Sequence, residues 1–249
     1  MITLKSADEL AIMRESGRMV ARVLARLAQE ARPGITTRRL DAIAEDMIKK
    51  AGAEPSFKGY QGFPASICTS INEQVVHGIP GPRKLAEGDL LSIDVGVFYR
   101  GFHGDAAISL PIGEVTPEVE KLLEVAREAL ARAVATVRPG VYVSDIGYAV
   151  QSHVESQGFS VVRELVGHGI GRKMHEDPQV PNFGTPGNGP VLRPGMTLAI
   201  EPMVNAGAYQ VCTLGDGWTV VTRDHSLSAH FEHTVAVTET GVIVLTTEE

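Results

Sequence analysis

The sequence has few cysteines and no long apolar stretch. Cys68 and Cys212 are the only two cysteines in 249 residues, and they are not in a C-x-x-C spacing. Two cysteines are too few for a disulfide framework, which indicates a reducing compartment. The N-terminal stretch MITLKSADEL lacks the apolar region of a signal peptide, and no run of about 18 apolar residues occurs. We therefore expect a cytoplasmic protein that does not contact a membrane.

Clusters of basic residues are also missing. The formal net charge is −7, and no run of Lys and Arg provides a local basic patch. A nucleic-acid backbone binds to such a patch, so we expect no nucleic-acid partner. The hydrophobic content of 43% is that of an ordinary globular chain, long enough for one large domain or two fused halves.

The chain contains the same pattern of helices twice. A capping box beginning at Ser6 opens a long amphipathic stretch that ends at Pro33-Gly34. A second such stretch begins at the cap Thr116 and ends at Pro139-Gly140. Each is followed by a further helical pattern that ends on a glycine, as helices often do. The pattern predicts two helix pairs in equivalent positions.

Acidic residues occupy equivalent positions in the strands that follow. LAEGDLLSIDVGV corresponds to LRPGMTLAIEPMV, which aligns Asp94 with Glu201, and Asp105 corresponds in the same way to Glu232. Two related halves would bring these four carboxylates together between them. Buried carboxylates stay ionised only when cations neutralise them. With a nearby imidazole, such oxygen ligands suit Mn, Fe(II), Co or Zn, so the repeat predicts a metal site with more than one ion.

We expect one domain of the α+β class. Its halves, roughly 1–112 and 113–249, each contain two helices, a strand and a hairpin, with the helices packed outside a mixed or antiparallel sheet. His77 and His168 are equivalent in this repeat. The second half has longer loops, which contain His175 and Trp218, the only tryptophan. Loops added to a shared scaffold supply groups that face a substrate.

Several motifs together resemble one enzyme family. Asp94 and Asp105, with GHGIGRKMHEDP, AIEPM and SAHFEHT, resemble the type I methionine aminopeptidases of the pita-bread fold over the whole chain. The resemblance implies metal-dependent removal of the N-terminal methionine from nascent polypeptides, with a preference for a small second residue. It also implies transient association with the ribosome, and we expect a monomer.

The resemblance implies two divalent ions per chain, about 3.5–4 Å apart. The ligands carried over by motif are Asp94, Asp105, His168, Glu201 and Glu232. A monovalent cation, Na or K, would be held by backbone carbonyls of Asn72, Gln74 and Ser228.

Three residues have catalytic roles by resemblance. A metal-activated water attacks the scissile carbonyl, and Glu201 takes the proton of that water and passes it toward the leaving amine. His175 hydrogen-bonds the developing oxyanion. His77 contacts the substrate backbone amide near the scissile bond.

The resemblance also implies an apolar pocket for the methionine side chain. Its lining is Tyr60, Phe63, Cys68, His77, Met174 and Trp218. Phe57 stands where well-known bacterial relatives have a small Cys, and Met174 stands where they have Phe. Our hypothesis is that bulk is exchanged between neighbouring positions and that the pocket volume is conserved.

Two other functions stay open. A proline-directed dipeptidase or aminopeptidase would use the same fold, and a non-catalytic binding protein would keep the scaffold without the chemistry. Among the remaining histidines, the strand pattern turns His233 away from Glu232. The polar helical stretch around His153 predicts a solvated side chain. The roles of His103, His225 and His230 are open.

Overall fold

The computed structural model describes residues 1–248. The first part of the chain contains α1 (Ala7–Glu30), α2 (Thr37–Lys50), β1 (Glu54–Pro55), a 3₁₀ turn (Tyr60–Gly62), β2 (Ile67–Ile71), β3 (Gln74–Val76), β4 (Leu90–Tyr99) and β5 (Phe102–Pro111). The second helix pair is α3 (Pro117–Thr136) and α4 (Val143–Ser156). It is followed by β6 (Ser160–Val161), β7 (Gly167–Gly169), β8 (Glu176–Val180), β9 (Thr197–Ile200), β10 (Met203–Asn205), β11 (Val211–Thr213), β12 (Val220–Thr222), β13 (Ser228–His230), β14 (His233–Val237) and β15 (Val242–Val244).

The strands form antiparallel sheets. In the first sheet, β5 pairs along one edge of β4, while β1 and β2 pair along the other. A second sheet has the order β15-β14-β9-β7-β8. Two smaller sheets have the orders β13-β10-β6 and β11-β12-β3. The predicted α+β class is therefore confirmed.

Helix α1 begins as predicted. The Ser6 hydroxyl accepts a hydrogen bond from the backbone N–H of Glu9, and the Glu9 carboxylate accepts one from the backbone N–H of Ser6. At the centre of the helix, Gly17 lets the backbone lie directly on the C-terminal segment, because a Cβ there would be 2.3 Å from the carbonyl oxygen of Leu245. The helix packs most extensively against β4 and β5.

Strand β4 is buried on both faces, and the two faces differ in chemistry. Leu91, Ile93 and Val95 pack in a core with α1 and α2. Side chains alternate across a strand, so Ser92 and Asp94 lie on the opposite face. This explains why an aspartate stands among the apolar residues of β4: Asp94 points away from the helices, toward the second half of the chain.

The two large sheets meet at the carboxylate-bearing strands. The backbone N–H of Glu232 donates to the carbonyl of Ala107 at 2.9 Å. The Thr234 hydroxyl lies between the N–H and the carbonyl of Asp105, at 3.0 and 2.7 Å. These bonds hold β14 beside β5, so Asp105 on β5 lies near Glu232, which directly precedes β14.

Helices α3 and α4 cover the second half with a core that includes Leu122, Ile146 and Leu198. The prediction of a solvated His153 on α4 is wrong. Its side chain is 7% exposed and its Nε2 is 3.2 Å from a carboxylate oxygen of Glu128 on α3. The helix pair closes over it because α3 and α4 pack closely along their length. Within residues 1–248, no helix is both long and apolar enough to cross a membrane.

Candidate metal centre

Three predicted site residues share one face of the first sheet. In the register of β4, Asp94 is opposite Cys68 on β2 and Ala107 on β5. Asp105 is opposite Gly96 on the neighbouring strand. Directly opposite residues share a face, and residues two apart on a strand share it too. Asp94, Asp105 and Cys68 therefore point to the same side.

The second sheet contributes a matching pair. His168 on β7 is opposite Ala199 on β9, and Glu201 follows two positions later. The Nε2 of His168 is 3.6 Å from Oε1 of Glu201. The Nδ1 of His168 lies 2.8 Å from the carbonyl oxygen of Gly169, which can only accept, so Nδ1 bears the hydrogen. Nε2 then presents its lone pair to the carboxylates, as a metal ligand must.

The five predicted ligands thus border one space. Ligand atoms of Asp105, His168 and Glu232 all lie within 4.8 Å of one another, close enough to share an ion. Asp94 and Glu201 line the same cavity.

Burial has a large effect on these carboxyl groups. It raises the pKa of Asp94 to about 7. The pKa values of Asp105, Glu201 and Glu232 are raised well above their ordinary values, first by burial and then by the neighbouring carboxylates. Burial lowers the pKa of His168 to about 4, so its imidazole is neutral at pH 7. The raised pKa values mean that ionising these carboxyl groups together is unfavourable unless a cation neutralises them, and the neutral imidazole supplies no such charge.

Unpartnered atoms lead to the same conclusion. Oδ1 of Asp94, Oδ1 of Asp105 and Oε1 of Glu232 are buried and have no hydrogen-bond partner among the described residues. Buried carboxylate oxygens are costly unless they are bonded or coordinate a metal. Carboxylate oxygens with one imidazole are a donor set for Mn, Fe(II), Co or Zn. The residues present therefore fit a divalent metal centre.

Two more histidines lie at the same cavity. His175 directly precedes β8, and its Nδ1 is 2.8 Å from the hydroxyl of Tyr60. His77 follows β3 with a φ of 60°, a left-handed conformation that is uncommon outside glycine and often found at functional sites. The pKa of His77 is lowered to about 4, mainly by burial and then by the charge of His175. Burial also lowers the pKa of His175.

A buried ion pair fixes the segment that carries His175. The Nζ of Lys5 is 2.6 Å from Oε2 of Glu176, and the two side chains are 3% and 10% exposed. The other oxygen of Glu176 accepts the backbone N–H of Lys173 at 3.1 Å. The residue next to His175 is thus held to both the N-terminal segment and its own loop.

The remaining wall of the cavity is apolar. Phe57, Phe63, Ala65, Cys68 and Met174 form one buried cluster, against which Tyr60, Ile79 and Trp218 pack. Phe57 and Met174 therefore belong to the same cluster, as the volume-exchange hypothesis requires. Gly96 leaves room for Phe57, since a Cβ there would be 2.7 Å from its ring. Burial and then the charge of Asp94 raise the pKa of the Cys68 thiol, so Cys68 is a small apolar wall residue rather than a nucleophile.

The residues predicted for the divalent metals, for catalysis and for the methionine pocket all line this one cavity of about 340 Å³, a size typical of ligand pockets, whereas Asn72, Gln74 and Ser228 do not line it. Its lining is Phe57, Tyr60, Gln61, Phe63, Cys68, His77, Asp94, Asp105, His168, Met174, His175, Glu201, Trp218 and Glu232. The sequence did not indicate Gln61, which has a left-handed φ of 47° inside the 3₁₀ turn. It also did not indicate the bond between Tyr60 and His175, because their contact joins distant loops.

Two histidines without predicted roles now have positions. The Nδ1 of His103 is 2.8 Å from the Ser56 hydroxyl. The Nε2 of His230 lies 4.0 Å or less from oxygens of Glu201 and Glu232. The sequence could have indicated the position of His230, since His230 and Glu232 are two residues apart and side chains alternate along an extended chain.

We expect the raised pKa of Asp94 to make the metal-free protein less stable as the pH rises. Its pKa is about 7 in the folded chain, against 3.8 ordinarily. The folded state binds the proton more tightly, so ionisation costs stability from about pH 4 upward, and the cost is complete above about pH 7. Replacing Asp94 with Asn removes this cost. The stability of Asp94→Asn relative to the parent should therefore rise by more than about 1 kcal/mol between about pH 5 and pH 8.

Denaturant unfolding in the presence of chelator measures this difference. Asp46→Asn is the control, because Asp46 is an exposed residue paired with Lys50 on helix α2. Its relative stability should stay constant over the same range. A constant value for Asp94→Asn as well would show that Asp94 does not share the buried anionic cluster.

Comparison with known proteins gives consistent results. The model of metallopeptidase family M24 matches residues 11–239. Methionine aminopeptidase 1 of Bacillus subtilis is 55% identical over 246 residues, covering 99% of each chain. Methionine aminopeptidase A of Synechocystis is 48% identical over 249 residues, covering 100% of this chain and 98% of the relative.

Solved structures agree with these matches. The crystal structure of methionine aminopeptidase from Thermotoga maritima has a TM-score of 0.98 and 46% identity, with 100% of both chains covered. The prolidase of Pyrococcus horikoshii has a TM-score of 0.81 at 23% identity, with 64% of its chain covered, and shares the fold. The predicted pita-bread fold is thereby confirmed. Because the family model and these relatives match nearly the whole chain, the chain belongs to metallopeptidase family M24.

Proposed function

We propose that this protein is a methionine aminopeptidase, which removes the N-terminal methionine from peptides with a divalent metal ion. The observation that supports this most strongly is the cavity itself. One wall carries buried carboxylates and a neutral imidazole, and the other is an apolar cluster of Phe, Met and Cys side chains. The first wall suits metal-assisted hydrolysis, and the second suits an unbranched apolar side chain.

Two ions per chain are proposed, with Asp94, Asp105, His168, Glu201 and Glu232 as the ligands. The four acidic side chains supply up to four negative charges. One divalent ion would neutralise only half of them. When bound, the metal supplies Lewis acidity and makes water nucleophilic near neutral pH. Mn, Fe(II), Co and Zn all suit this donor set.

The protein's own residues have separable tasks in hydrolysis. Glu201 lines the cavity, and its first task is to accept the proton of the attacking water. Its second task is to pass this proton to the amine that leaves. His175 requires an N–H directed into the cavity to stabilise the oxyanion. The Tyr60 hydroxyl can donate to Nδ1 of His175, which leaves the hydrogen on Nε2.

The proposed substrates are newly made chains with methionine at the N-terminus. The side chain of that methionine fits against Phe57, Phe63 and Met174, and His77 contacts the backbone amide beyond the scissile bond. A small second residue is preferred because the rings of His77 and His175 both line the cavity. We further propose one catalytic domain that works as a monomer in the cytoplasm and meets its substrates transiently at the ribosome.

A monovalent cation, Na or K, remains part of the proposal. The backbone N–H of Ser228 donates to the carbonyl of Asn72 at 2.9 Å, so these two segments are neighbours. Asn72 has a left-handed φ of 58°. Carbonyls of Asn72, Gln74 and Ser228 are the proposed ligands.

Release of free methionine is the direct test of the proposed function. Chelator-stripped protein is incubated with the peptide Met-Ala-Ser, with and without added Mn or Co, and Ala-Pro-Ser is the control peptide. We expect release of methionine only when metal is present and no cleavage of the proline peptide. Cleavage of the proline peptide alone would assign the protein to the prolidase type of this fold. Absence of cleavage with every metal would favour a binding protein.

Removing the proposed oxyanion donor should reduce turnover strongly. We expect His175→Ala to lower kcat by about 10²–10³-fold, the usual cost of losing one such donor. Tyr60→Phe keeps the ring and removes only the hydroxyl, so its loss of kcat should be smaller. Steady-state kinetics on Met-Ala-Ser measure both. Equal kcat values for His175→Ala and the parent would remove His175 from the proposed mechanism.

Shortening Phe57 tests the methionine pocket. Phe57→Cys leaves a gap in the apolar cluster, and we expect a higher KM for methionine peptides with a smaller change in kcat. Phe57→Cys combined with Met174→Phe restores the bulk at the neighbouring position and should recover most of the KM. An unchanged KM in Phe57→Cys would contradict the volume-exchange hypothesis.

A further inference from the structure

His230 is a buried imidazole beside the carboxylates that has no role in the proposed mechanism. Its side chain is 2% exposed, and its Nε2 is 3.9 Å from Oε2 of Glu232 and 4.0 Å from Oε2 of Glu201. That nitrogen has no hydrogen-bond partner among the described residues. A buried ring nitrogen that lies between two carboxylates without a hydrogen bond to either costs free energy unless another group bonds to it.

Hydrogen bonds fix the backbone of His230. The N–H of His230 donates to the Ser109 hydroxyl at 2.8 Å, and its carbonyl accepts from the same hydroxyl at 2.8 Å. Ser109 belongs to β5, the strand that carries Asp105. The backbone of His230 is therefore fixed to the strand that bears a proposed ligand.

The ring of His230 is directed toward the carboxylates. Phe231 packs in the core beneath α3, with the guanidinium of Arg127 5.4 Å from its ring centre. His230 ends β13 and Glu232 directly precedes β14, and the approach of Nε2 of His230 to 3.9 Å from Oε2 of Glu232 shows that these two side chains share a side. His230 does not line the cavity, which places its ring behind Glu201 and Glu232 and out of reach of a substrate.

We propose that His230 is a positioning residue for the metal centre, donating its Nε2–H to the outer oxygens of Glu201 and Glu232. This inference rests on the proposed function, because it needs a bound divalent ion. A carboxylate that ligates an ion with one oxygen presents its other oxygen to an outer donor, which orients the ligand. The present distances exceed the usual N–H···O limit of about 3.2 Å by less than about 1 Å.

Ion affinity tests this role without relying on turnover. Calorimetric titration of Co(II) into chelator-stripped protein compares the parent with His230→Leu, His230→Asn and His230→Gln. Leu has no donor, and the Asn amide is shorter, so both should weaken ion binding by about 10–100-fold. The Gln amide nitrogen lies at about the reach of Nε2 and should restore the affinity to within about threefold of the parent.

His233→Leu is the matched control. His233 adjoins Glu232, but its Nδ1 bonds the Thr246 hydroxyl at 2.9 Å on the other side of the strand. Its loss should change unfolding and leave ion affinity unchanged. In steady-state kinetics with saturating metal, His230→Leu should lower kcat for Met-Ala-Ser and leave KM near the parent value, because the ring does not contact substrate.

Three results would overturn the role of His230. If His230→Leu or His230→Asn binds ions as tightly as the parent, the His230 ring only fills space and does not orient the metal ligands. A His230→Gln variant as weak as His230→Leu, with an altered visible spectrum of bound Co(II), would make His230 a direct ligand. If the parent binds no ion, both the proposed metal centre and the role of His230 are wrong. Failure of the proposed function gives a different result. If the parent protein binds ions, and His230 variants weaken that binding as expected, but no peptide is cleaved, then the positioning role of His230 stands and the peptidase function does not.

Discussion

The burial of like charges in one place is the constraint on which the rest of this structure depends. Asp94, Asp105, Glu201 and Glu232 have raised pKa values, chiefly through burial, and three of them have buried oxygens with no hydrogen-bond partner within residues 1–248. Such an arrangement is unfavourable without a cation and favourable with one. Metal binding and the stability of the folded chain are therefore linked, since a bound ion offsets the free-energy cost of burying these carboxylates together.

The scaffold around the cluster serves to keep these side chains in place. Strand β4 presents apolar residues to α1 and α2 and Asp94 to the opposite side, so one strand belongs to both the core and the site. Backbone bonds between Glu232 and Ala107 fix the two sheets to each other. The tautomer of His168 is set by the carbonyl of Gly169. A ligand set held this firmly loses little entropy when an ion binds.

Much of this could be predicted from the chain because the fold repeats a short pattern. The caps at Ser6 and Thr116 are local hydrogen bonds, which depend only on neighbouring residues. The equivalence of Asp94 with Glu201 follows from aligned strands, and the motifs around His168 indicated the family. The burial of His153 could not be predicted, since it depends on how α3 crosses α4. The contact between Tyr60 and His175 could not be predicted either, because their loops are far apart in the chain.

The sequence by itself determined the α+β class, the internal repeat and, through its motifs, the family, and the resemblance to that family named every residue that lines the cavity except Gln61. The class and the repeat follow from periodicity and capping, and the family follows from short motifs, all of which are properties of short segments. Tertiary structure alone decided which carboxylate oxygens lack hydrogen-bond partners in the described part of the chain, which tautomer His168 adopts, and that Nε2 of His230 lies within 4.0 Å of oxygens of Glu201 and Glu232. The physical reason is that charge, burial and hydrogen-bond geometry are set by groups that meet only when distant strands pack together.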